Sequence, residues 1–306
     1  MRVLVVGAGA MGGYFGGRLL QAGQDITFLV RPRRAAELAS AGLVIKSPHG
    51  DVTLRNPPAV QADVLKDSFD VVLLSCKAFD LDDAIRSFAP AVGPKTSIIP
   101  LLNGMSHLDA LDKRFGRARV LGGLCAIAAT LNEKREVVQL VPMQSLAFGE
   151  RDGGMSDRVG AIAEVFRSGN FNAAASANIL HDMWEKWVFL AALAAATCLM
   201  RASVGNILAV PGGKDFLLGI FDECKAVAGA EGYAPRAPAA ERALGMLTME
   251  GSPMTASMFR DVQAGLPIEA DHVIGDLIAR GDNAKVPVPR LRTAYTHLKA
   301  YERQRG

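Results

Sequence analysis

A glycine-rich segment near the start of the chain constrains the fold more than any other feature of the sequence. The segment is Gly7-Ala8-Gly9-Ala10-Met11-Gly12, and it directly follows an apolar run, Arg2–Val6, that is typical of a buried β-strand. In a G-x-G-x-x-G pattern the first glycine permits a tight turn, the second lets the backbone approach a pyrophosphate, and the third lets a helix pack close to the strand. The helix then presents free N–H groups and its positive dipole end to phosphates. The segment therefore predicts a dinucleotide-binding βαβ unit, and a purely structural glycine turn is the alternative.

The two halves of the chain differ in their hydrophobic patterns. Up to about residue 178, short β-branched runs alternate with helical stretches, an order that builds a parallel sheet covered by helices. From residue 179 the patterns are helical and rich in alanine, with breaks at glycine and proline clusters. We therefore predict an α/β fold with an N-terminal Rossmann-type parallel-sheet domain over 1–178. An all-helical C-terminal domain over 179–306 should follow it and serve substrate binding or dimerisation.

The alternation also assigns individual strands. The expected strands are Arg2–Val6, Ile26–Val30, Leu43–Lys46, Val52–Leu54, Val71–Ser75, Ser97–Leu102, Val120–Ile127, Val137–Leu140 and Ser145–Phe148. A turn sequence separates Leu43–Lys46 from Val52–Leu54, so these two strands should form a hairpin. We expect Val120–Ile127 to continue the parallel sheet and the last two strands to finish it in antiparallel pairing. Met11–Gln21 and Asp157–Arg167 are expected to be helices.

The charge balance and the cysteine pattern exclude several classes of protein. The chain has 34 Lys and Arg against 31 Asp and Glu, a formal net charge of +3, which is too small to make nucleic acid the main partner. The longest uncharged apolar run, Trp187–Met200, is shorter than the roughly 18 residues of a membrane span, and the N-terminal apolar run is too short for a signal peptide. Four cysteines without C-x-x-C spacing and five histidines without ligand spacing predict neither disulfides nor a metal site. We expect a cytoplasmic protein with no membrane segment.

The residues after the second expected strand indicate which dinucleotide binds. NAD-binding proteins usually place a carboxylate there for the ribose 2′-hydroxyl, whereas this chain has Val30-Arg31-Pro32-Arg33-Arg34. A guanidinium suits a 2′-phosphate through charge-assisted hydrogen bonds, and a carboxylate would repel one. NADP (NADPH) is therefore the predicted cofactor and Arg31 its ligand. A solvent-exposed basic loop is the alternative, and it is the preferred interpretation for Arg33 and Arg34 taken individually.

Two further polar segments follow expected strands. They are Ser75-Cys76-Lys77 and Leu102-Asn103-Gly104. An open α/β sheet presents its ligand-binding groups at the carboxyl ends of its strands, so we expect Lys77 and Asn103 to belong to the binding site. A surface lysine and a simple turn are the alternatives.

The helical half contributes three more candidates. Lys186 lies at the head of a strongly apolar helix, where a lysine either extends to water or is held as a proton donor. Ser257 and Glu269 add a hydroxyl and a carboxylate. Pro267 is expected to begin a helix that runs to Arg280, and Glu269 has the alternative role of complementing that helix's dipole.

Together these residues resemble the ketopantoate reductase (2-dehydropantoate 2-reductase) family, in the same order and over nearly the whole chain. The resemblance rests on the glycine-rich segment, Arg31, Lys77, Asn103-Gly104, Trp184-Glu185-Lys186, Ser257-Met258 and Pro267-Ile268-Glu269. It implies an NADP-binding Rossmann domain, a helical domain and, at the level of the family, a homodimer.

The resemblance also implies a role for each matching residue. Lys186 corresponds to the catalytic lysine that donates a proton to the substrate's carbonyl oxygen as NADPH delivers hydride to the carbon. Asn103 corresponds to a residue beside the nicotinamide and the substrate, and Ser257 to one that contacts the substrate carboxylate. Glu269 corresponds to a residue that binds on the side of the site where the cofactor and the catalytic lysine lie.

One part of the sequence departs from the family pattern. Many members have asparagines four and eight residues after the catalytic lysine, where this chain has Leu190 and Ala194. A third such asparagine corresponds to Val204, with Asn206 two residues away. Each lost neutral hydrogen bond costs about 0.5–1.5 kcal/mol, so the pocket should favour a less polar substrate. Arg201 is a new candidate for holding a carboxylate, and a surface salt bridge is its alternative role.

The leading hypothesis is therefore NADPH-dependent reduction of a 2-oxo acid to a 2-hydroxy acid. The first candidate substrate is 2-dehydropantoate, whose reduction would place the chain in pantothenate biosynthesis. The alternatives are a reductase of a less polar 2-oxo acid or ketone, suggested by Leu190 and Ala194, and a non-catalytic NADP(H)-binding sensor. The presence of Lys186, Ser257 and Glu269 argues against the sensor, because a sensor needs no proton donor.

Overall fold

The computed structural model describes residues 1–305 and divides into two compact units. The first unit comprises Met1–Leu102 and His107–Leu180, and the second comprises Asn103–Ser106 together with the chain from His181 onwards. The short segment Asn103–Ser106 therefore belongs to the helical unit, although it lies within the sequence of the first. The domain limits 1–178 and 179–306 stay a prediction.

The described residues form ten strands and twelve α-helices. The strands are β1 (Arg2–Val6), β2 (Asp25–Leu29), β3 (Leu43–Lys46), β4 (Val52–Leu54), β5 (Ala59–Val60), β6 (Phe69–Leu74), β7 (Val92–Pro100), β8 (Gly122–Leu131), β9 (Val137–Gly149) and β10 (Asn172–Ala175). The helices are α1 (Ala10–Gln21), α2 (Pro32–Ala41), α3 (Leu81–Phe88), α4 (Ser106–Phe115), α5 (Asp157–Arg167), α6 (Ile179–Met200), α7 (Val204–Leu208), α8 (Gly213–Ala230), α9 (Ala237–Leu247), α10 (Ser257–Gln263), α11 (Asp276–Asn283) and α12 (Pro289–Arg305). The predicted α/β class with a helical C-terminal part is confirmed.

A parallel sheet forms the centre of the first unit. Its strand order is β5-β2-β1-β6-β7, and every neighbouring pair is parallel. The central strand β1 is almost wholly apolar, and its residues Val3–Val6 are at most 5% exposed. Such continuous apolar runs occur where both faces of a strand are covered.

Helix α1 packs between this sheet and a second one. A Cβ added to Gly16 would lie 2.7 Å from the ring of Phe28 on β2, and a Cβ added to Gly17 would lie 2.7 Å from Ile45 on β3. Larger residues at either position would push the helix away from one of the sheets. The glycines therefore set the thickness of the first unit's core, which Tyr14 and Phe15 of the same helix help to fill.

The second sheet corrects two predictions about strands. It has the order β10-β9-β3-β4, with β8 paired antiparallel to β9, so Val120–Ile127 does not continue the parallel sheet. Val120, the first residue of that run, is joined to Ile98 on β7 by an isolated bridge. The two expected strands Val137–Leu140 and Ser145–Phe148 are one strand, β9. The pairing of β9 with β8 shifts in register at this point, and the shift explains the interruption in the sequence pattern. Gln139 of β9 pairs with Ala129, whereas Gln144, five residues later, pairs with Ile127, only two residues away on β8.

Long apolar helices build the second unit. Trp184, Trp187 and the alanine run from Ala191 to Ala196 on α6 are buried. Glu223 of α8, 7% exposed, accepts hydrogen bonds from the backbone N–H groups of Arg290 (3.1 Å) and Leu291 (3.0 Å) and so caps the start of α12.

Among residues 1–305, α6 is the one helix that is long and apolar enough, by length and composition only, to cross a membrane. However, 67% of its apolar window is buried inside the protein, as in the core helix of a soluble protein.

The helix expected to begin at Pro267 begins later. The first helical hydrogen bond of this segment runs from the N–H of Val273 to the carbonyl of Glu269 (2.9 Å), and a π-helical turn, Asp271–Gly275, leads into α11. Pro267 thus lies in the irregular segment before the helix. Glu269 is at its start, which is compatible with the predicted dipole interaction.

Candidate functional site

The glycine-rich loop lies where the strand order of the parallel sheet reverses. From β1 the chain continues to β2 on one side and later returns to β6 on the other side. The carboxyl ends of β1 and β6 are therefore adjacent, and in open α/β sheets ligands bind at this switch point. Gly7–Gly12 follows β1, and Ser75-Cys76-Lys77 follows β6.

Backbone and hydroxyl contacts fix the loop to the sheet. Gly7 has a φ of +92°, and its N–H donates to Leu29 on β2 (2.9 Å). The Ser75 hydroxyl lies 2.9 Å from the carbonyl oxygen of Val6 and 3.3 Å from that of Gly7. A Cβ added to Gly12 would lie 2.1 Å from the Gly7 carbonyl oxygen and 2.2 Å from the Ser75 hydroxyl. Only glycine fits at position 12.

The start of α1 has the properties of a phosphate site. Gly9 is the N-cap residue, no side chain caps this terminus, and no acidic residue lies in the first turn. A Cβ added to Gly9 would have no atom within 4 Å, so the space beside it is open. The residues present therefore fit a dinucleotide pyrophosphate, whose charge the free N–H groups would stabilise.

The three arginines after β2 have three different environments. Arg34 is 9% exposed and donates from Nε to the carbonyl of Ala8 in the glycine-rich loop (3.0 Å) and from Nη1 to that of Arg135 (3.1 Å). It supports the loop from inside the unit, a role that no sequence pattern indicated. Arg33 is exposed and pairs with Glu37 of the same helix, as expected for a solvated basic residue.

Arg31, the predicted phosphate ligand, is already paired with two carboxylates. Its Nη2 donates to Asp80 (2.7 Å) and to Asp83 (3.0 Å), and these hydrogen bonds raise the pKa of Arg31. The guanidinium in turn lowers the pKa of Asp83. A phosphate that binds Arg31 would have to share the guanidinium with these carboxylates or displace one of them, and it would meet their negative charge. No sequence pattern indicated this contact, because 49 residues separate Arg31 from Asp80.

Lys77 lies in the same unit, half-buried, two residues after Ser75. It is the N-cap residue of the 3-10 turn Ala78–Asp80, so the segment that carries Lys77 also carries the first of Arg31's carboxylate partners.

The second unit brings together two of the other predicted site residues. Lys186 is half-buried on α6, and its ammonium donates to the side-chain oxygen of Asn103 at 2.9 Å. The contact joins positions 83 residues apart in the sequence. An ammonium has three N–H donors, so the amide of Asn103 orients Lys186 and leaves two donors for another acceptor.

Ser257 and Glu269 lie on other elements of the second unit. Ser257 is the exposed first residue of α10, and its neighbour Ala256 donates its N–H to Thr197 on α6 (3.3 Å). Thr197 is roughly 16 Å along the helix axis from Lys186. Glu269 is half-buried at the start of the π-helical turn.

The positions that depart from the family pattern differ in exposure. Leu190 is half-buried one helical turn after Lys186 and can line a site beside it. Ala194 and Val204 are 2% and 0% exposed and belong to the core. Asn206 and Arg201 are exposed, and Arg201 has a left-handed φ of +51° after the end of α6.

Residues 1–305 also contain potential metal ligands and buried thiols, among them that of Cys198. That part of the chain has no group of three or more His, Cys, Asp or Glu that could hold a metal ion. Burial raises the pKa of the Cys198 thiol to about 12, so it stays protonated at neutral pH.

Comparisons with known proteins agree with both halves of the structure. The family model described as "Ketopantoate reductase PanE/ApbA" matches residues 3–153, and the model of its C-terminal part matches residues 178–302. An uncharacterized oxidoreductase of Bacillus subtilis, YkpB, is 36% identical over 305 residues, which cover 100% of both chains. A 2-dehydropantoate 2-reductase of Archaeoglobus fulgidus is 26% identical over 98% of each chain. The crystal structure of 2-dehydropantoate 2-reductase from Methylococcus capsulatus has a TM-score of 0.87 at 28% identity and covers 100% of this chain and 98% of that one.

Substitutions of Gly9 and Gly12 separate cofactor binding from folding. Gly12→Ala should destabilise the protein by at least about 1–3 kcal/mol, because its Cβ meets backbone and a fixed hydroxyl. Gly9→Ala should change the free energy of unfolding by less than about 1 kcal/mol, since its φ of −80° suits alanine and the space is open. The same change should weaken NADPH binding about tenfold or more by blocking the close approach of the pyrophosphate. Urea unfolding and NADPH fluorescence titration measure the two effects, and normal NADPH binding by Gly9→Ala would contradict the loop assignment.

The assignment of Arg31 predicts a selective loss of NADPH binding. Arg31→Ala removes charge-assisted hydrogen bonds to a 2′-phosphate, so the Kd for NADPH should rise about 10- to 100-fold while that for NADH changes less than about threefold. Fluorescence titration with both nucleotides is the measurement.

Two variants complete this experiment. Arg33→Ala, which removes an exposed arginine paired within its own helix, should leave both Kd values unchanged. Asp83→Asn removes a competing carboxylate and should tighten NADPH binding severalfold. An equal loss of NADPH and NADH affinity in Arg31→Ala rules out a 2′-phosphate contact.

Proposed function

The chain belongs to the ketopantoate reductase family and is an NAD(P)H-dependent oxidoreductase, and from this premise we propose that it reduces a 2-oxo acid to a 2-hydroxy acid with NADPH. The first candidate substrate is 2-dehydropantoate, which would give the chain a step in pantothenate biosynthesis. The observation that carries the proposal is the hydrogen bond between Lys186 and Asn103, because it holds a proton donor in a fixed position.

The proposed cofactor contacts come from several segments of the chain. The loop Gly7–Gly12 and the N-terminus of α1 suit the pyrophosphate, and Arg31 suits the 2′-phosphate. Lys77, Asn103 and Glu269 are further proposed cofactor contacts. When bound, the reduced nicotinamide supplies hydride.

Lys186 has the role of general acid in this proposal. Its ammonium donates one N–H to Asn103, and another N–H can donate to the carbonyl oxygen of the substrate. Proton donation to that oxygen stabilises the alkoxide as the carbonyl carbon is reduced, and a 2-hydroxy acid results. Ser257 is the proposed contact for the substrate carboxylate.

Leu190 favours a second candidate function, the reduction of a less polar 2-oxo acid or ketone. Its side chain is one helical turn from Lys186 and half-buried, so an apolar group stands where many family members have a hydrogen-bonding amide. A non-catalytic NADP(H) sensor gains no support from the Lys186–Asn103 contact. Homodimerisation, a cytoplasmic location and the absence of nucleic-acid and membrane partners stay predictions.

The role of Lys186 predicts a defect confined to turnover. Lys186→Ala should lower kcat for NADPH oxidation by about 10² to 10⁴ while the Kd for NADPH stays within about threefold of the normal value. Steady-state kinetics with 2-dehydropantoate and a panel of less polar 2-oxo acids measure the loss. Lys225→Ala, a change at a partly exposed lysine on α8 that pairs with Asp222, is the control and should have normal rates. Undiminished turnover by Lys186→Ala would refute the assignment of the proton donor. If the normal protein binds NADPH but oxidises it with none of the carbonyl compounds, the sensor is favoured.

The substrate preference can be tested at Leu190. Leu190→Asn should raise kcat/KM for 2-dehydropantoate about two- to tenfold, the equivalent of one neutral hydrogen bond, and lower it for apolar 2-oxo acids. Leu190→Ala is the matched control, because it removes the same apolar surface without adding an amide. If Leu190→Asn and Leu190→Ala behave alike with all substrates, Leu190 does not line the pocket.

A further inference from the structure

One histidine of the second unit contacts both ends of the segment that carries Asn103. The Ser106 hydroxyl and Nδ1 of His272 are 2.8 Å apart. A hydrogen bond also joins His272 to the backbone of Asn103. Ser106 and Asn103 are the last and first residues of the segment Asn103–Ser106, so a single imidazole bridges it.

The imidazole lies directly against the backbone between these two contacts. Gly104 has a φ of +79°, and a Cβ added to it would lie 2.8 Å from the carbonyl oxygen of His272, 3.2 Å from Cδ2 and 3.4 Å from Nε2. The Cδ2–Nε2 edge of the ring therefore faces the backbone beside Asn103. Position 104 requires glycine both for its φ and for this approach.

From this geometry we propose that His272 is a positioning residue that orients Lys186 through Asn103. The proposal rests on the proposed function of Lys186 as the proton donor. His272 fixes the backbone of Asn103, the side-chain oxygen of Asn103 accepts from the ammonium of Lys186 at 2.9 Å, and the direction of the remaining ammonium N–H groups follows.

The protonation state of the ring agrees with both contacts. Burial lowers the pKa of His272 below its ordinary value, so the ring is neutral at neutral pH, and the nearby Glu269 and Asp276 carboxylates oppose this shift. A neutral imidazole has one donor and one acceptor nitrogen. The hydrogen bond to the Asn103 backbone favours the charged ring, which is the effect of a carbonyl acceptor. Nε2–H then donates to the Asn103 carbonyl, and Nδ1 accepts from the Ser106 hydroxyl.

The turn that presents His272 is anchored on both sides. The preceding residue, Asp271, accepts hydrogen bonds from the Tyr295 hydroxyl (2.6 Å) and from Lys299 (2.9 Å), both on α12. The following residue, Val273, accepts from the indole N–H of Trp187 (2.9 Å), which is next to Lys186 on α6. The π-helical turn and the lysine are therefore tied together, as expected of a π-helical turn at a functional site.

The reactivity of Lys186 tests the proposal without any substrate. Trace acetylation of the purified protein with acetic anhydride, followed by mass spectrometry of the Lys186 peptide, measures how freely the amine reacts. His272→Ala and Asn103→Ala should each raise the Lys186 labelling rate about three- to tenfold, because the ammonium is no longer held by Asn103. Lys225 in the same digest is the internal reference and should be unchanged.

Two amide substitutions separate the two ends of the ring. His272→Gln places an amide near Nε2 and keeps the bond to Asn103, so its Lys186 labelling should stay within about twofold of normal. His272→Asn places an amide near Nδ1, keeps only the bond to Ser106, and should behave like His272→Ala. If His272→Ala does not fold, as thermal unfolding will show, this pair of variants carries the test.

A double substitution decides whether His272 acts through Asn103. The variant Asn103→Ala/His272→Ala should label at Lys186 no faster than Asn103→Ala alone, because the path through Asn103 is already broken. Multiplicative effects of the two changes, or normal Lys186 labelling in His272→Ala and His272→Asn, would overturn the proposal. With a substrate that the normal protein reduces, His272→Ala should lower kcat about 5- to 20-fold. Because labelling needs no turnover, a wrong proposed function would leave the labelling result intact.

Discussion

The close approach of α1 to the strands on either side of it is the constraint on which the first unit depends. Gly12 touches the turn after β1, Gly16 touches Phe28 on the parallel sheet, and Gly17 touches Ile45 on the second sheet. A helix with ordinary side chains at these positions would need several ångströms more space. The N-terminus of this helix is next to the carboxyl end of β1, and the space beside Gly9 is open. The proposed phosphate site therefore lies where the close packing of α1 places the start of the helix.

The second unit holds its lysine by a different principle. Lys186 is on a helix whose neighbouring residues, Trp184 and Trp187, are 1% exposed, so the backbone of α6 cannot shift without disturbing the core. The Arg280 guanidinium lies 5.5 Å and 5.8 Å from the two indole rings, and its charge is paired with Glu231 and Asp276. Rigid aromatic packing thus sets the position of the lysine's backbone, and the amide of Asn103 sets the direction of its ammonium. Both are needed to hold a flexible four-carbon side chain in one orientation.

The sequence predicted the features whose signals are local. The strand Arg2–Val6, the glycine loop and the helix Asp157–Arg167 depend on neighbouring residues, and the structure has them at the expected positions. The single strand β9 was missed because its register shift depends on the pairing partner β8. Contacts over long sequence distances were also missed, among them the pairing of Arg31 with Asp80 and the bridge from His272 to Ser106. Nothing in the spacing of these residues reveals them, since the fold alone brings them together.

The positions where family asparagines are replaced are not equivalent, and this limits what their loss means for the substrate. Ala194 and Val204 are fully buried, so an asparagine there would need a hydrogen-bonding partner in the core or a rearranged helix. These two replacements are therefore part of the packing of the second unit. Leu190 is only half-buried and is one turn from Lys186, so it is the replacement that a substrate can meet. In the proposed reaction, the chemistry at the carbonyl depends on Lys186 and Asn103, whereas the choice among 2-oxo acids depends on what contacts the rest of the substrate, where Leu190 would supply an apolar surface.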